Sequence, residues 1–181
     1  MTDLRDVPVA TLDAVAVRRL LVRILQDAHA GELAAAYAYR AHARSLWWRR
    51  AQRDEVRRIE AAEWHHRALV GSMLGDLGAA PRRGREVLMG ATGRFFGTLC
   101  FVTGWFGPMY AAGRLEAMNV DQYRLARDTA EALGLGGEAE QLELMRVEEV
   151  RHERWFGDRC RGHPLLPIAR RLLGWSPPPT G

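Results

Sequence analysis

Lysine is missing from this chain: all 26 basic residues are arginine, set against 22 acidic ones for a formal charge of +4. Such an excess fits contact with an anionic membrane surface or with nucleic acid, or equally a GC-rich coding bias with no partner behind it. No motif interleaving aromatic and basic residues accompanies it, so nucleic acid is not expected as a partner. Cysteine is nearly missing too. Cys100 and Cys160 alone cannot build a disulfide framework or a four-thiolate metal knuckle, and with no Cys-x-x-Cys pair there is no rubredoxin-type electron-transfer centre. Two thiols fit a reducing compartment. Long apolar runs are lacking as well. The most apolar stretch, Phe95 to Ala112, follows Arg94 and is interrupted by Gly97, Gly104, Gly107 and Pro108, short of the roughly 20 residues of a membrane span. It reads as an embedded or interfacial surface. The start, Met1 to Asp6, carries acids where a secretory signal would be basic and then apolar, so the expected location is cytoplasmic. Strand-like alternation of useful length is also missing.

What is present is helical periodicity. With 181 residues and 48% apolar content the chain is long enough for one domain with a real core. Thr11 or Asp13 can cap a first helix running through Leu20, Leu21, Ile24, Leu25, Leu33 and Tyr37 to about Trp48. An Arg-rich turn follows, with Asp54 as a cap. The second helix carries Val56, Ile59, Glu63, His66, Val70 and Met73 and stops at Gly75 to Gly78. Residues 82 to 106 form a Gly-studded apolar segment expected to be partly helical. A third ligand-bearing helix passes through Met109, Glu116, Val120, Tyr123 and Ala126 to the Gly134–Gly137 cluster. The fourth begins at Glu138 and passes Leu142, Met145, Glu149 and His152 to Trp155 and Phe156. The expected division is a bundle over 1–158 and a basic, Pro-rich tail over 159–181.

Two words stand out, Glu63-Trp64-His65-His66 and Glu149-Val150-Arg151-His152. On a helix a carboxylate and an imidazole three residues apart leave the same face one turn apart. That is the spacing of a metal-ligand pair. A carboxylate-bridged pair of metal ions in a four-helix bundle needs one Glu from each of two helices and a Glu-x-x-His from each of the other two. Glu32 and Glu116 stand among Ala, Leu and Met, where an unpartnered carboxylate is costly. The proposed ligands are therefore Glu32, Glu63, His66, Glu116, Glu149 and His152. At single positions Glu60 could replace Glu63, His65 could replace His66, and Glu148 could pair with His152. His29 precedes Glu32 by one turn and fits either a supporting or a structural role. Tyr37 and Tyr123 fall at helical spacing from Glu32 and Glu116, and either could line the site; His42 and His163 read as surface residues.

Register tests this set. Antiparallel helices that present ligands at one height must turn midway between them in sequence. The midpoint of Glu116 and the Glu149/His152 pair falls at the Gly134 cluster, and that of Glu32 and the Glu63/His66 pair falls beside Trp47-Trp48-Arg49-Arg50. A long crossover between the second and third ligand helices completes the ferritin-like connectivity. The expected fold is all-α, a ferritin-like four-helix bundle.

On the words His29-Ala30-Gly31-Glu32, Glu63-Trp64-His65-His66, Leu115-Glu116 with Tyr123 seven residues on, and Glu148-Glu149-Val150-Arg151-His152, residues 20–157 resemble the demethoxyubiquinone hydroxylases, di-iron monooxygenases of ubiquinone biosynthesis. The Gly97–Gly107 stretch is similar to that family's Gly-rich segment. The resemblance implies that the six ligands bind two iron ions, with Glu63 and Glu149 bridging, although the same donors suit manganese. It implies hydroxylation of a quinone carried on a polyprenyl tail, using dioxygen and a nicotinamide-derived reductant. Such a lipophilic substrate fits a protein peripheral on the inner face of the cell membrane, and the apolar, Arg-bearing stretch Leu165–Trp175 suits either an interface or packing on the bundle. The competing expectation is an iron-oxidising or oxidant-defence bundle of the ferritin or rubrerythrin kind. A homo-oligomer is compatible with either.

Overall fold

In the computed structural model, described over residues 12–179, six helices account for the fold and no strand occurs among the described residues. Four long helices, α1 (Ala14–Ser45), α2 (Arg50–Asp76), α4 (Phe106–Ala132) and α5 (Gly136–Cys160), form the bundle; α3 (Arg83–Leu99) spans the crossover and α6 (Leu166–Leu173) lies in the tail. Asp13 caps α1 by accepting from the Ala16 amide at 2.8 Å, and the alternative cap, Thr11, falls outside the described residues. Among the described residues no helix is long and apolar enough to cross a membrane.

The two Gly-marked stops form as the sequence predicts. After α4, Gly134 takes φ 72° and the amides of Gly134 and Leu135 bond the carbonyls of Glu131 and Ala130. After α2, Gly78 takes φ 62° with the same two bonds to Gly75 and Leu74. Both close otherwise orphaned carbonyls in the pattern that needs a left-handed residue. The α1–α2 turn has no such residue and differs from expectation. Helix α1 ends at Ser45, α2 begins at Arg50, and Asp54 lies inside α2 beside Arg53. Buried Leu46, together with Arg49 over the Trp105 ring at 4.7 Å, fixes this turn.

The crossover is partly helical, as expected, with one continuous helix over Arg83–Leu99. Gly90, Gly93 and Gly97 recur on one face of α3, and that face lies against α1. A Cβ on Gly93 would come within 2.3 Å of the Ala34 carbonyl oxygen, and one on Gly97 within 2.7 Å of the Ala41 Cβ. The glycines thus let two backbones approach inside a continuous helix.

Cross-helix bonds set the register. Gln122 reaches the Ile24 carbonyl, Tyr39 reaches Glu116, and Arg40 pairs with Glu60. Helix α1 is therefore antiparallel to both α2 and α4, giving the up-down-down-up order of a bundle with one long crossover. Two apolar clusters fill it. One contains Leu20, Ile24, Leu74, Ala126 and Leu142; the other contains Leu46, Val56, Ile59, Met109 and Phe156. The tail returns to the second cluster, where the Trp175 indole fills the space left by Gly113 and donates to Glu153 at 3.0 Å.

Candidate metal centre

Between the two apolar clusters lies a polar layer contributed by one stretch of each bundle helix: Glu32 from α1, Glu63 and His66 from α2, Glu116 from α4, and Glu149 and His152 from α5. All six side chains are buried, Glu63, Glu116 and Glu149 completely. They fall into two groups whose donor atoms lie within 4.8 Å of one another: Glu32, Glu63, His66 and Glu149 in one, Glu63, Glu116, Glu149 and His152 in the other. Glu63 and Glu149 belong to both. The six residues selected from sequence are thus the six that the bundle brings together.

The donor set fits cations. Both oxygens of Glu63 and of Glu149, Glu32 Oε2, His66 Nδ1 and His152 Nδ1 are buried without a hydrogen-bond partner. So many unsatisfied polar atoms in one layer are costly, and a bound cation would satisfy them together. His66 Nδ1 lies 2.9 Å from Glu149 Oε1, and His152 Nδ1 lies 3.6 Å from Glu63 Oε1 and 3.7 Å from Glu149 Oε2. Burial raises the carboxyls of Glu32, Glu63 and Glu116 above their ordinary range, reinforced by neighbouring carboxylates. Burial also acts upward on Glu149, but its neighbours Glu116, His152 and His66 together outweigh it and hold the carboxyl well below that range. For His66, burial acts downward and is outweighed by Glu149, which carries it up to about 9. These groups attract either protons or metal ions.

Tyr123, which the sequence places at helical spacing from Glu116, lines the site: on α4, it donates its phenolic proton to Glu32. Tyr39 on α1, which escapes the sequence reading, donates likewise to Glu116 across the bundle. The arrangement is reciprocal, since each tyrosine stands seven residues after the other's partner. That repeated interval is the signal that identifies Tyr39. Tyr37 instead packs edge-on against Trp64 and under Arg94. Glu148, offered by the sequence as a partner of His152, instead places its Oε2 3.0 Å from His66 Nε2, so it serves the histidine of the opposite helix.

The remaining alternatives separate from the site. His65 is exposed and Glu60 pairs with Arg40 at 2.7 Å. His29 Nδ1 meets Glu86 at 2.8 Å, and Arg67 joins Glu86 at 2.6 Å, tying α1, α2 and α3 together. His42 is a correction. It is buried rather than at the surface, stacked on Phe156, and burial lowers it to about 4, so it is a neutral core residue at pH 7. His163 is partly covered, stacked on Phe106 at 4.0 Å. Comparison with known proteins adds no family to this geometry: no family model, curated protein or solved structure matches the chain.

Proposed function

We propose that this bundle is a di-iron monooxygenase that hydroxylates a lipophilic, quinone-type ring, as the resemblance to demethoxyubiquinone hydroxylases implies. The observation that supports it is the pair of buried ligand groups sharing Glu63 and Glu149. Glu32 and His66 would complete one ion, Glu116 and His152 the other, and four carboxylates would offset the charge of two divalent cations. Carboxylate and imidazole donors suit iron, with manganese as the competing ion. Iron bound there supplies the reduction of dioxygen, drawing electrons from an external, nicotinamide-derived donor.

The chain's own residues hold and shield that chemistry. Tyr39 and Tyr123 each fix one oxygen of Glu116 and Glu32 by donating to it, and the other oxygen of Glu32 is left without a hydrogen-bond partner. Burial and the adjacent carboxylates push both phenols well above their usual range, so they remain proton donors at neutral pH. Glu148 sets the proton of His66 on Nε2 and leaves Nδ1 free to ligate. The flanking apolar clusters exclude water. Exposed Phe95 and Phe96 on α3, and Leu165, Ile168 and Leu172 in and beside α6, give a surface suited to a membrane from which such a substrate would be drawn.

The test supplies anaerobically purified protein with ferrous iron, a reductant, dioxygen and a panel of short-chain prenylated quinols, followed by mass spectrometry. The expected product is one oxygen atom heavier and is lost in Glu63→Ala. Iron oxidation with no hydroxylated product would move the assignment to the ferroxidase class. Protein that binds neither iron nor manganese would overturn both readings.

A further inference from the structure

Away from the metal layer, a groove of about 530 Å³ opens between α1 and α3, lined by Tyr37, Arg40, Arg44, Arg94, Thr98 and Phe101 together with Ala41. No acidic residue lines it. Arg40 is balanced by Glu60 at 2.7 Å, whereas among the described residues Arg44 and Arg94 have no carboxylate partner. Two unbalanced guanidiniums therefore converge on one concavity. Arg94 is held there, its charge 4.0 Å from the Tyr37 ring centre and its Nη1 donating to the Gly90 carbonyl. The position depends on the glycine face of α3, which brings that helix close enough to α1 for their side chains to share a groove.

The groove does not end in polar surface. Phe101 is 59% exposed and belongs also to an adjoining cleft with Trp47, Trp48 and Trp105. Val102, Trp47 and Trp48 are 76%, 72% and 54% exposed. Paired tryptophans beside arginines are the composition of an interfacial anchor, in which aromatic rings sit at headgroup level and guanidiniums meet phosphate. A soluble phosphate compound would need the arginines but not the apolar rim. A neutral lipid surface would need the rim but not the uncompensated charge.

We propose that the α1–α3 groove is a headgroup site for an anionic phospholipid, with the phosphate taken by Arg44 and Arg94 and the apolar rim of Phe101, Val102, Trp47 and Trp48 set in the bilayer. This deepens the membrane-surface part of the proposed function and is independent of the metal centre. Guanidinium suits the role because its planar fork can meet two phosphate oxygens at once.

The test is flotation of the full chain with vesicles of phosphatidylcholine alone and of phosphatidylcholine mixed with phosphatidylglycerol, with and without competing inorganic phosphate. Wild-type protein is expected to bind the mixed vesicles and to resist that competition. The double change Arg44→Gln/Arg94→Gln is expected to weaken this binding about 30-fold, following the usual contribution of each basic residue at an anionic surface. Arg19→Gln/Arg151→Gln removes the same charge from exposed positions elsewhere and should cost less than about threefold. Equal losses in the two double variants would overturn the groove. Equal binding to both kinds of vesicle would keep the membrane reading and overturn the headgroup site, and binding to neither would overturn both. Displacement by inorganic phosphate would show a soluble-phosphate site instead. Melting temperatures that stay well above the flotation temperature in both double variants, allowing for the Tyr37 and Gly90 contacts that Arg94 gives up, show that folding is not what is read.

Discussion

His66 presents its two nitrogens to two carboxylates of α5, Nδ1 to Glu149 at 2.9 Å and Nε2 to Glu148 at 3.0 Å. A histidine whose outer nitrogen is held in this way is fixed in tautomer and ring angle, and loss of such a partner commonly weakens metal binding 10–100-fold. Glu148→Ala is accordingly expected to lower affinity for manganese(II) about 10–100-fold in anaerobic titration calorimetry, while changing the unfolding free energy by less than about 0.5 kcal/mol because the side chain is 44% exposed. Unchanged affinity would show that packing alone orients the ring. Sequence could name Glu148 but not its partner. At i, i+4 it stands ready to pair with His152, and only the rotation of α5 against α2 directs it to His66. The two tyrosines teach the same lesson from the other side. The interval from Glu32 to Tyr39 equals that from Glu116 to Tyr123 and is plain in the sequence, but that each tyrosine serves the opposite helix's glutamate depends on how α1 faces α4.

At the scale of elements, the packing of α3 is what the sequence leaves open. Glycine lowers helix propensity, so Gly84, Gly90, Gly93 and Gly97 argue locally for an irregular crossover. The common face of Gly90, Gly93 and Gly97 is an equally visible pattern with the opposite meaning, since small residues in register allow close helix packing. Which meaning applies depends on whether another backbone lies there, and Ala34, Ala38 and Ala41 of α1 supply it. Gly93→Ala and Gly31→Ala should therefore shift stability in opposite directions. At Gly93 the new methyl meets the Ala34 backbone, and overpacking of that kind costs roughly 1–3 kcal/mol. At Gly31, within α1, a Cβ finds nothing within 4 Å, and the gain in helix propensity should add about 0.5–1 kcal/mol. Urea unfolding of both variants measures this; two destabilised proteins, or two unaffected ones, would contradict the packing assigned to α3. The four bundle helices were legible because burial and ligation ask for the same face. The α1–α2 turn was placed only to within a few residues, for Leu46 and Arg49 carry no local turn signal.

For the molecule as a whole, the polar layer sets a conflict between stability and metal binding. Four carboxylates lie buried at one level, with two apolar clusters beside them. Burial raises Glu32, Glu63 and Glu116 above the ordinary 4.5, whereas Glu149 is held below it. A carboxyl raised in the fold binds its proton more tightly folded than unfolded. Its contribution is fully present below the unfolded value and is lost as pH rises through the folded one. With three groups moving in this direction against one, metal-free protein should lose stability as pH rises above about 5, in the window where an unfolded glutamate would already have released its proton. Glu63→Gln removes one of these ionisable groups without changing shape. In metal-free protein it should raise the unfolding free energy by about 1–3 kcal/mol at pH 7.5, with a much smaller effect at pH 4.5, where both side chains are neutral. Added manganese(II) or ferrous iron should reverse the order. A metal that binds only the folded wild type at 100 times its dissociation constant contributes about 2.7 kcal/mol and releases protons from the layer. Glu63→Gln, lacking a carboxylate common to both ligand groups, should gain little of this and release fewer protons. Denaturant unfolding with and without metal, at the two pH values, reads all four states. A wild type indifferent to metal, or a Glu63→Gln variant less stable than wild type in the metal-free state, would mean that the layer is held by its own hydrogen bonds rather than prepared for cations.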